Sequence, residues 1–206
     1  MNRQAPAQRA ERARRAVEEA ARATFVERGY EGASVDEIAR RAGVSKPTVY
    51  AHFGAKEDLF VHILDGYCAR LLTPILDPDA ASLPIRDVLT NFARHYAGIV
   101  LDPGVVALHR LFVSEARRFP ELGQSYYAAG PQAVHNELGR FFEQRIAAGE
   151  LRDRDPGMLA EQFSGLVLTP LRLKMLFEVI DTPEPVETRT YCESAVGLFL
   201  DGALPR

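Results

Sequence analysis

Apolar residues recur three and four positions apart along almost the whole chain and nowhere alternate, so every element is predicted to be a helix. Ala13, Val17, Ala20, Ala21 and Phe25 give the first helix a buried stripe from about Gln8 to Arg28, with Gly29 as its stop. Val35, Ile38, Ala39 and Ala42 mark a second, short helix. Ser34 is its N-cap, Glu37 completes a capping box, and Gly43 ends it. Ser45 caps a third helix, with Val44 and Val49 at the spacing of a hydrophobic staple and Pro47 tolerated in the first turn. Because Pro47 carries no donor, the Ser45 hydroxyl is left to cap the Thr48 N–H. A fourth helix starts near Lys56 and carries Phe60, Ile63, Leu64, Tyr67, Leu71 and Leu72. Pro74 is expected to halt it, ahead of a Pro/Asp/Ser loop over 77–84 that marks a domain boundary.

Beyond that loop, a cap followed by proline opens one helix after another: Ser82 with Pro84, Asp102-Pro103 (to about Phe119), Pro120, Gly130-Pro131 (to about Gly149), Asp155-Pro156 (to about Val179) and Thr182-Pro183 (to about Gly202). Pro170 is expected to kink the penultimate helix. The prediction is an all-α protein of about nine to ten helices, with an N-terminal domain over 11–71 and a larger helical domain over 84–206.

Residues 34–53 carry the chemistry. Small Ala39, turn Gly43 and core Val49 suit two helices crossing through a tight turn, the helix-turn-helix whose second helix enters the DNA major groove. Lys46, Pro47, Thr48, Tyr50, Ala51 and His52 are left facing outward, a set suited to phosphates and base edges. An ordinary hairpin with a solvated face would read the same. The net charge of −3 argues against nucleic acid until it is divided along the chain. Residues 1–60 hold 11 Lys+Arg against 9 Asp+Glu, and the remainder holds 14 against 19, so the N-terminal part is the basic one. The arginines before about Arg9 either touch DNA or lie in a mobile tail.

The run FVERGYEGASVDEIARRAGVSKPTVYAHFGAKEDLF, Phe25 to Phe60, closely resembles the N-terminal domain of TetR-family transcriptional regulators. The matching positions are Phe25, Gly29-Tyr30, Ile38-Ala39, Ala42 to Ser45, Thr48, Tyr50, His52-Phe53 and Lys56. The resemblance covers roughly a third of the chain and departs from the common pattern at Pro47 and Ala51, which leaves the operator sequence open. It implies DNA contact by Ser45, Lys46, Pro47, Thr48, Tyr50, His52 and Lys56. Tyr50, His52 and Lys56 would grip phosphates, and Lys46, Pro47 and Thr48 would lie nearer the bases. Ser34 would offer its hydroxyl and helix-terminal N–H groups to a further phosphate. The implied protein is a repressor that binds double-stranded operator DNA as a homodimer and answers to a small effector.

The C-terminal half fits that expectation in two ways. Its last two helices are apolar on more than one face, and the resemblance implies that they pair between subunits as a four-helix bundle. Gly165, Leu166, Leu173, Ala195, Leu198 and Phe199 are the candidate contacts, against the plainer reading of helices buried within one subunit. Polar residues also interrupt apolar stripes, the usual make-up of a small-molecule pocket. The candidates are His95 and Tyr96 beside Phe92, His109 and Arg110 beside Phe112, and Gln162 and Arg172; each taken singly is equally a structural or surface residue. The five histidines lack metal-ligand spacing, and nucleophile-elbow, P-loop and dinucleotide motifs are absent, so neither catalysis nor a cofactor is expected. A membrane span and a secretory signal are likewise not expected, which points to the cytoplasm. Cys68 and Cys192 are expected to pack as small apolar groups. Control by a protein partner, or by oxidation of Cys68 or Cys192, stands as the alternative to a small effector.

Overall fold

The computed structural model describes residues 4–204, apart from the side chains of 4–7, 64, 65, 67–69, 78 and 81. Leu64, Tyr67 and Cys68, assigned above to helix packing, therefore lie outside the described side chains, and Arg3, with residues 1, 2, 205 and 206, lies outside the described residues. Every regular element among the described residues is helical, as the periodicity requires. The elements are α1 (Gln4–Gly32), α2 (Val35–Ala42), α3 (Lys46–Phe53), α4 (Lys56–Leu76), α5 (Ile85–Val100), α6 (Pro103–Glu115), α7 (Pro120–Tyr127), α8 (Ala133–Ala147), α9 (Pro156–Leu176) and α10 (Pro185–Ala203). No single helix among them is long and apolar enough to cross a membrane.

The expected stops and starts hold in several places. Gly29, at φ 73° and ψ 173°, breaks α1 in a conformation that a side chain would strain. Asp102 accepts from the N–H groups of Gly104 and Val105, and Asp155 from that of Met158, so both aspartates cap helices opened by proline. Elsewhere prolines do not break helices. Pro131 lies in a π-helical turn that carries α7 into α8, and α9 runs on through Pro170. Pro74 also lies inside α4 rather than at its end. Proline there leaves the Arg70 carbonyl, four residues back, without its helical partner. The His95 Nε2 supplies one, 2.6 Å from that oxygen.

Two compact units result, and they interleave along the chain where the composition of the 77–84 loop predicts a single cut. The first takes in the chain up to Gly66 together with Ala107–Tyr126. The second comprises Tyr67–Val106 and everything from Tyr127 onward. Within the first unit, Phe60 stands against Phe25 (4.7 Å between ring centroids) and Phe112 (4.2 Å), and Tyr30 against Phe119 (5.5 Å). These aromatic contacts are what recruit the second half of α6 and α7 to the N-terminal unit. The second unit is centred on Phe92, Phe142, Phe163 and Phe199. Arg145 is buried there, donating to the Ala80 and Leu83 carbonyls and pairing with Glu150, and so fastens the loop that precedes α5.

Candidate nucleic-acid interface

α2 and α3 are built almost entirely by local rules. Ser34 is extended and its hydroxyl accepts from the Glu37 N–H at 3.2 Å. The reciprocal half of the expected capping box is absent, because the Glu37 carboxylate is taken by Arg40 (2.7 Å) and Arg41 (2.8 Å). Those two guanidinium groups pull its pKa down to about 2. Gly43 sits in the left-handed region (φ 68°, ψ 29°), and the Val44 N–H returns to the Ala39 carbonyl at 3.0 Å, closing a Schellman turn. Ser45 then caps α3, accepting from the Thr48 N–H at 3.3 Å as the missing Pro47 donor demands. Its hydroxyl also meets that of Thr48 at 2.7 Å.

Val49 and Phe53 turn inward and are buried, which fixes the rotation of α3. Lys46, Pro47, Tyr50 and His52 are consequently exposed, with Thr48 half-buried beside them. The structure thus brings all of these residues to one helix, together with Ser34 and Ser45 at the two N-termini. Lys46 is not a free cation: its Nζ pairs with Asp36 Oδ2 at 2.8 Å, and that carboxylate holds the ammonium pKa above its ordinary value. Asp36 was not among the sequence candidates. Its one signal is an acidic residue opening α2 where a basic one opens α3 across a tight turn.

Lys56 departs further from expectation. Its ammonium donates to the Tyr30 carbonyl (2.9 Å) and the Ala33 carbonyl (3.2 Å) and lies 4.4 Å over the Tyr30 ring. It therefore caps the C-terminal end of α1, where a cation suits the helix dipole. An ammonium has three donors, so at most one is left for a phosphate. Arg41, also unforeseen, joins α2 to α1 by pairing with Glu27 at 2.6 Å.

The candidate pocket residues are divided between the two compact units. Phe92, His95 and Tyr96 belong to the second unit, whereas His109, Arg110 and Phe112 belong to the first. Phe92 and Tyr96 are buried core residues, and His95 serves the Arg70 carbonyl. His109 Nδ1 meets the Tyr126 hydroxyl at 2.7 Å. Gln162 lines a groove of about 300 Å³ between α9 and α10 with Met158, Leu166 and Leu198, and Arg172 is half-buried on α9. A second groove, of about 340 Å³, runs between α5 and the start of α10, lined by Arg94, Ala97, Leu101, Pro183 and Arg189; it holds none of the eight candidates. Of the candidate subunit contacts, Gly165, Leu173 and Leu198 are exposed and Leu166 is half-buried. Ala195 and Phe199 are buried in the chain's own core, so packing within the chain accounts for their apolar character.

A capped helix pair closed by a Schellman turn, with its second helix anchored by Val49 and Phe53, defines the chain as a helix-turn-helix DNA-binding regulator. Residues 19–63 match the family described as bacterial regulatory proteins, tetR family, and residues 87–202 match the C-terminal domain of AefR-like transcriptional repressors. The chain belongs to the TetR family of transcriptional regulators, whose members are not enzymes. It is 46% identical over 56 residues to the transcriptional activator FasR of Mycolicibacterium smegmatis, a segment covering 27% of this chain and 26% of FasR. It spans less than two thirds of the length of the first relatives it matches by sequence. Solved structures align nearly end to end. A TetR-family regulator from Mesorhizobium loti has a TM-score of 0.81 and 27% identity over 96% of this chain and 99% of that one. The flavonoid-responsive regulator FrrA has a TM-score of 0.75 and 34% identity over 95% and 99%.

Proposed function

We propose that the protein is a homodimeric repressor, acting in the cytoplasm, that grips operator DNA through α3 and releases it when a small, largely apolar effector binds the C-terminal helices. The observation that carries this reading is the outward display of Lys46, Pro47, Thr48, Tyr50 and His52 from a helix whose other face is anchored by Val49 and Phe53. Tyr50 and His52 serve phosphates, with Ser34 and the third donor of Lys56 as further backbone contacts. Lys46, Pro47 and Thr48 meet base edges.

Two recognition helices must sit about one DNA turn (~34 Å) or a multiple of it apart, so a dimer is part of the reading mechanism. Met158, Gly165, Leu173 and Leu198 support a subunit contact along α9 and α10, because they place apolar and small groups in solvent on the isolated chain. The effector acts by population shift, favouring an arrangement in which the recognition helices are wrongly spaced. The chain passes between the compact units inside α4, inside α6 and after Tyr126, so helices themselves link effector and DNA units. The flavonoid response in the name of FrrA supports an aromatic or similarly apolar effector class. Oxidation of Cys192 is a poorer trigger. The thiol is fully buried, and burial pushes its pKa up to about 11, leaving little thiolate at neutral pH.

The test is selection of duplexes from a random library by the purified protein, followed by footprinting of the selected site with and without flavonoids. Protection of two half-sites that is lost on adding a ligand is the expected result. Thr48→Ala should reorder the preferred sequences, and a uniform loss of affinity across them would refute base reading by Thr48.

A further inference from the structure

Lys46 occupies the first position of α3, where a positive charge opposes the helix dipole, and Asp36 lies in the first turn of α2, where a negative charge suits it. The 2.8 Å contact between them joins two exposed side chains at the edge from which α3 would enter DNA. An exposed pair of this kind is worth only about 0–1 kcal/mol, so it does little for stability. What it changes is the kind of partner that Lys46 attracts. A bare ammonium is drawn to any phosphate, a sequence-independent contact that weakens with salt. An ammonium held by a carboxylate is close to neutral as a pair and gains little from a phosphate, yet it keeps two N–H donors. Those donors can still meet the neutral O6 and N7 acceptors of guanine in the major groove.

We propose that Asp36 is a specificity-determining residue, which holds Lys46 off the phosphate backbone and reserves it for an acceptor on a base edge. The inference rests on the reading that α3 enters the major groove. It assigns to Asp36 a role exerted through Lys46, and it predicts that the residue lowers affinity for random DNA more than affinity for the preferred site.

The experiment compares wild type, Asp36→Asn, Asp36→Glu, Lys46→Ala and the Asp36→Asn/Lys46→Ala double variant. Each is titrated across salt concentrations with the tightest duplex selected from a random library and with a shuffled duplex of equal composition. Asp36→Asn should steepen the salt slope on the shuffled duplex by about 1 and narrow the selected-to-shuffled affinity ratio several-fold. Asp36→Glu should stay near wild type, and the effect of Asp36→Asn should vanish in the Lys46→Ala background. Equal tightening on both duplexes, or an effect that persists without Lys46, would show plain removal of a repelling charge and overturn the proposal. If Lys46→Ala weakens the selected duplex while Asp36→Asn leaves the ratio unchanged, the role of Asp36 alone fails. If Lys46→Ala alters neither affinity, Lys46 reads no base and the proposal fails; if no selected duplex binds wild type more tightly than the shuffled one, the placement of α3 in the groove fails with it.

Discussion

Lys56 illustrates how a residue's partners decide its meaning. With its ammonium bound to the carbonyls of Tyr30 and Ala33, its first task is to close the end of α1. Lys56→Ala should therefore destabilise the protein by about 1–3 kcal/mol in urea unfolding, since two charge-assisted hydrogen bonds are lost. If its remaining donor also grips a phosphate, the salt slope of DNA binding falls by roughly 1 as well; a change in stability without a change in slope would remove Lys56 from the interface. Glu37 yields a pH prediction. Its carboxyl is held near 2 by Arg40 and Arg41, below its ordinary 4.5. A lowered folded-state pKa gives stability that is present above about 4.5 and lost as pH falls toward 2. Wild type should therefore exceed Glu37→Gln in stability at neutral pH, and the gap should close over that acid range. Carboxyl NMR should place the Glu37 midpoint near 2.

For the helical elements, the instructive cases are prolines. The rule that proline marks a helix boundary reads the starts of α5, α6, α9 and α10 to within a few residues, because at those places proline stands in a first turn or just before one. It misreads Pro74, since the cost of an interior proline depends on whether the freed carbonyl finds another donor. The Arg70 carbonyl finds His95, which lies 25 residues away in sequence, beyond the reach of any local pattern. His95→Leu should consequently cost about 1–3 kcal/mol by stranding that carbonyl. In a Pro74→Ala background the restored N–H at position 74 takes its place, so the same substitution should cost much less. An equal cost in both backgrounds, measured by a double-mutant cycle in urea, would refute the pairing. The polar interruption that sequence periodicity offers as a pocket residue is in this instance a helix repair.

At the level of the whole molecule, dimerisation is the point to test. Leu198 is 64% exposed and Leu173 45% exposed, whereas Ala195 and Phe199 on the same helix as Leu198 are buried. Leu198→Arg should leave the fold intact, shift the protein toward monomer in sedimentation, and weaken binding to the selected duplex at least tenfold, because each monomer then holds one half-site. Phe199→Arg, by contrast, should unfold the second unit rather than merely separate subunits, since a charge would enter its aromatic core. Unchanged sedimentation of the Leu198 variant would move the subunit contact elsewhere.

The helix-turn-helix was legible because every step of it is local. Caps at Ser34 and Ser45, the left-handed turn at Gly43 and the inward Val49 each follow from residues within five positions of one another. The all-helical fold followed for the same reason, from periodicity and repeated start signals. Only the tertiary structure decided who neutralises Lys46, what occupies Lys56 and His95, which faces of α9 and α10 the chain covers for itself, and that Ala107–Tyr126 packs with the N-terminal unit. Periodicity reports that a face is apolar but not what lies against it. A polar side chain likewise takes its role from the partner nearest in space, which for Lys46, Lys56 and His95 stands 10 to 26 residues away along the chain.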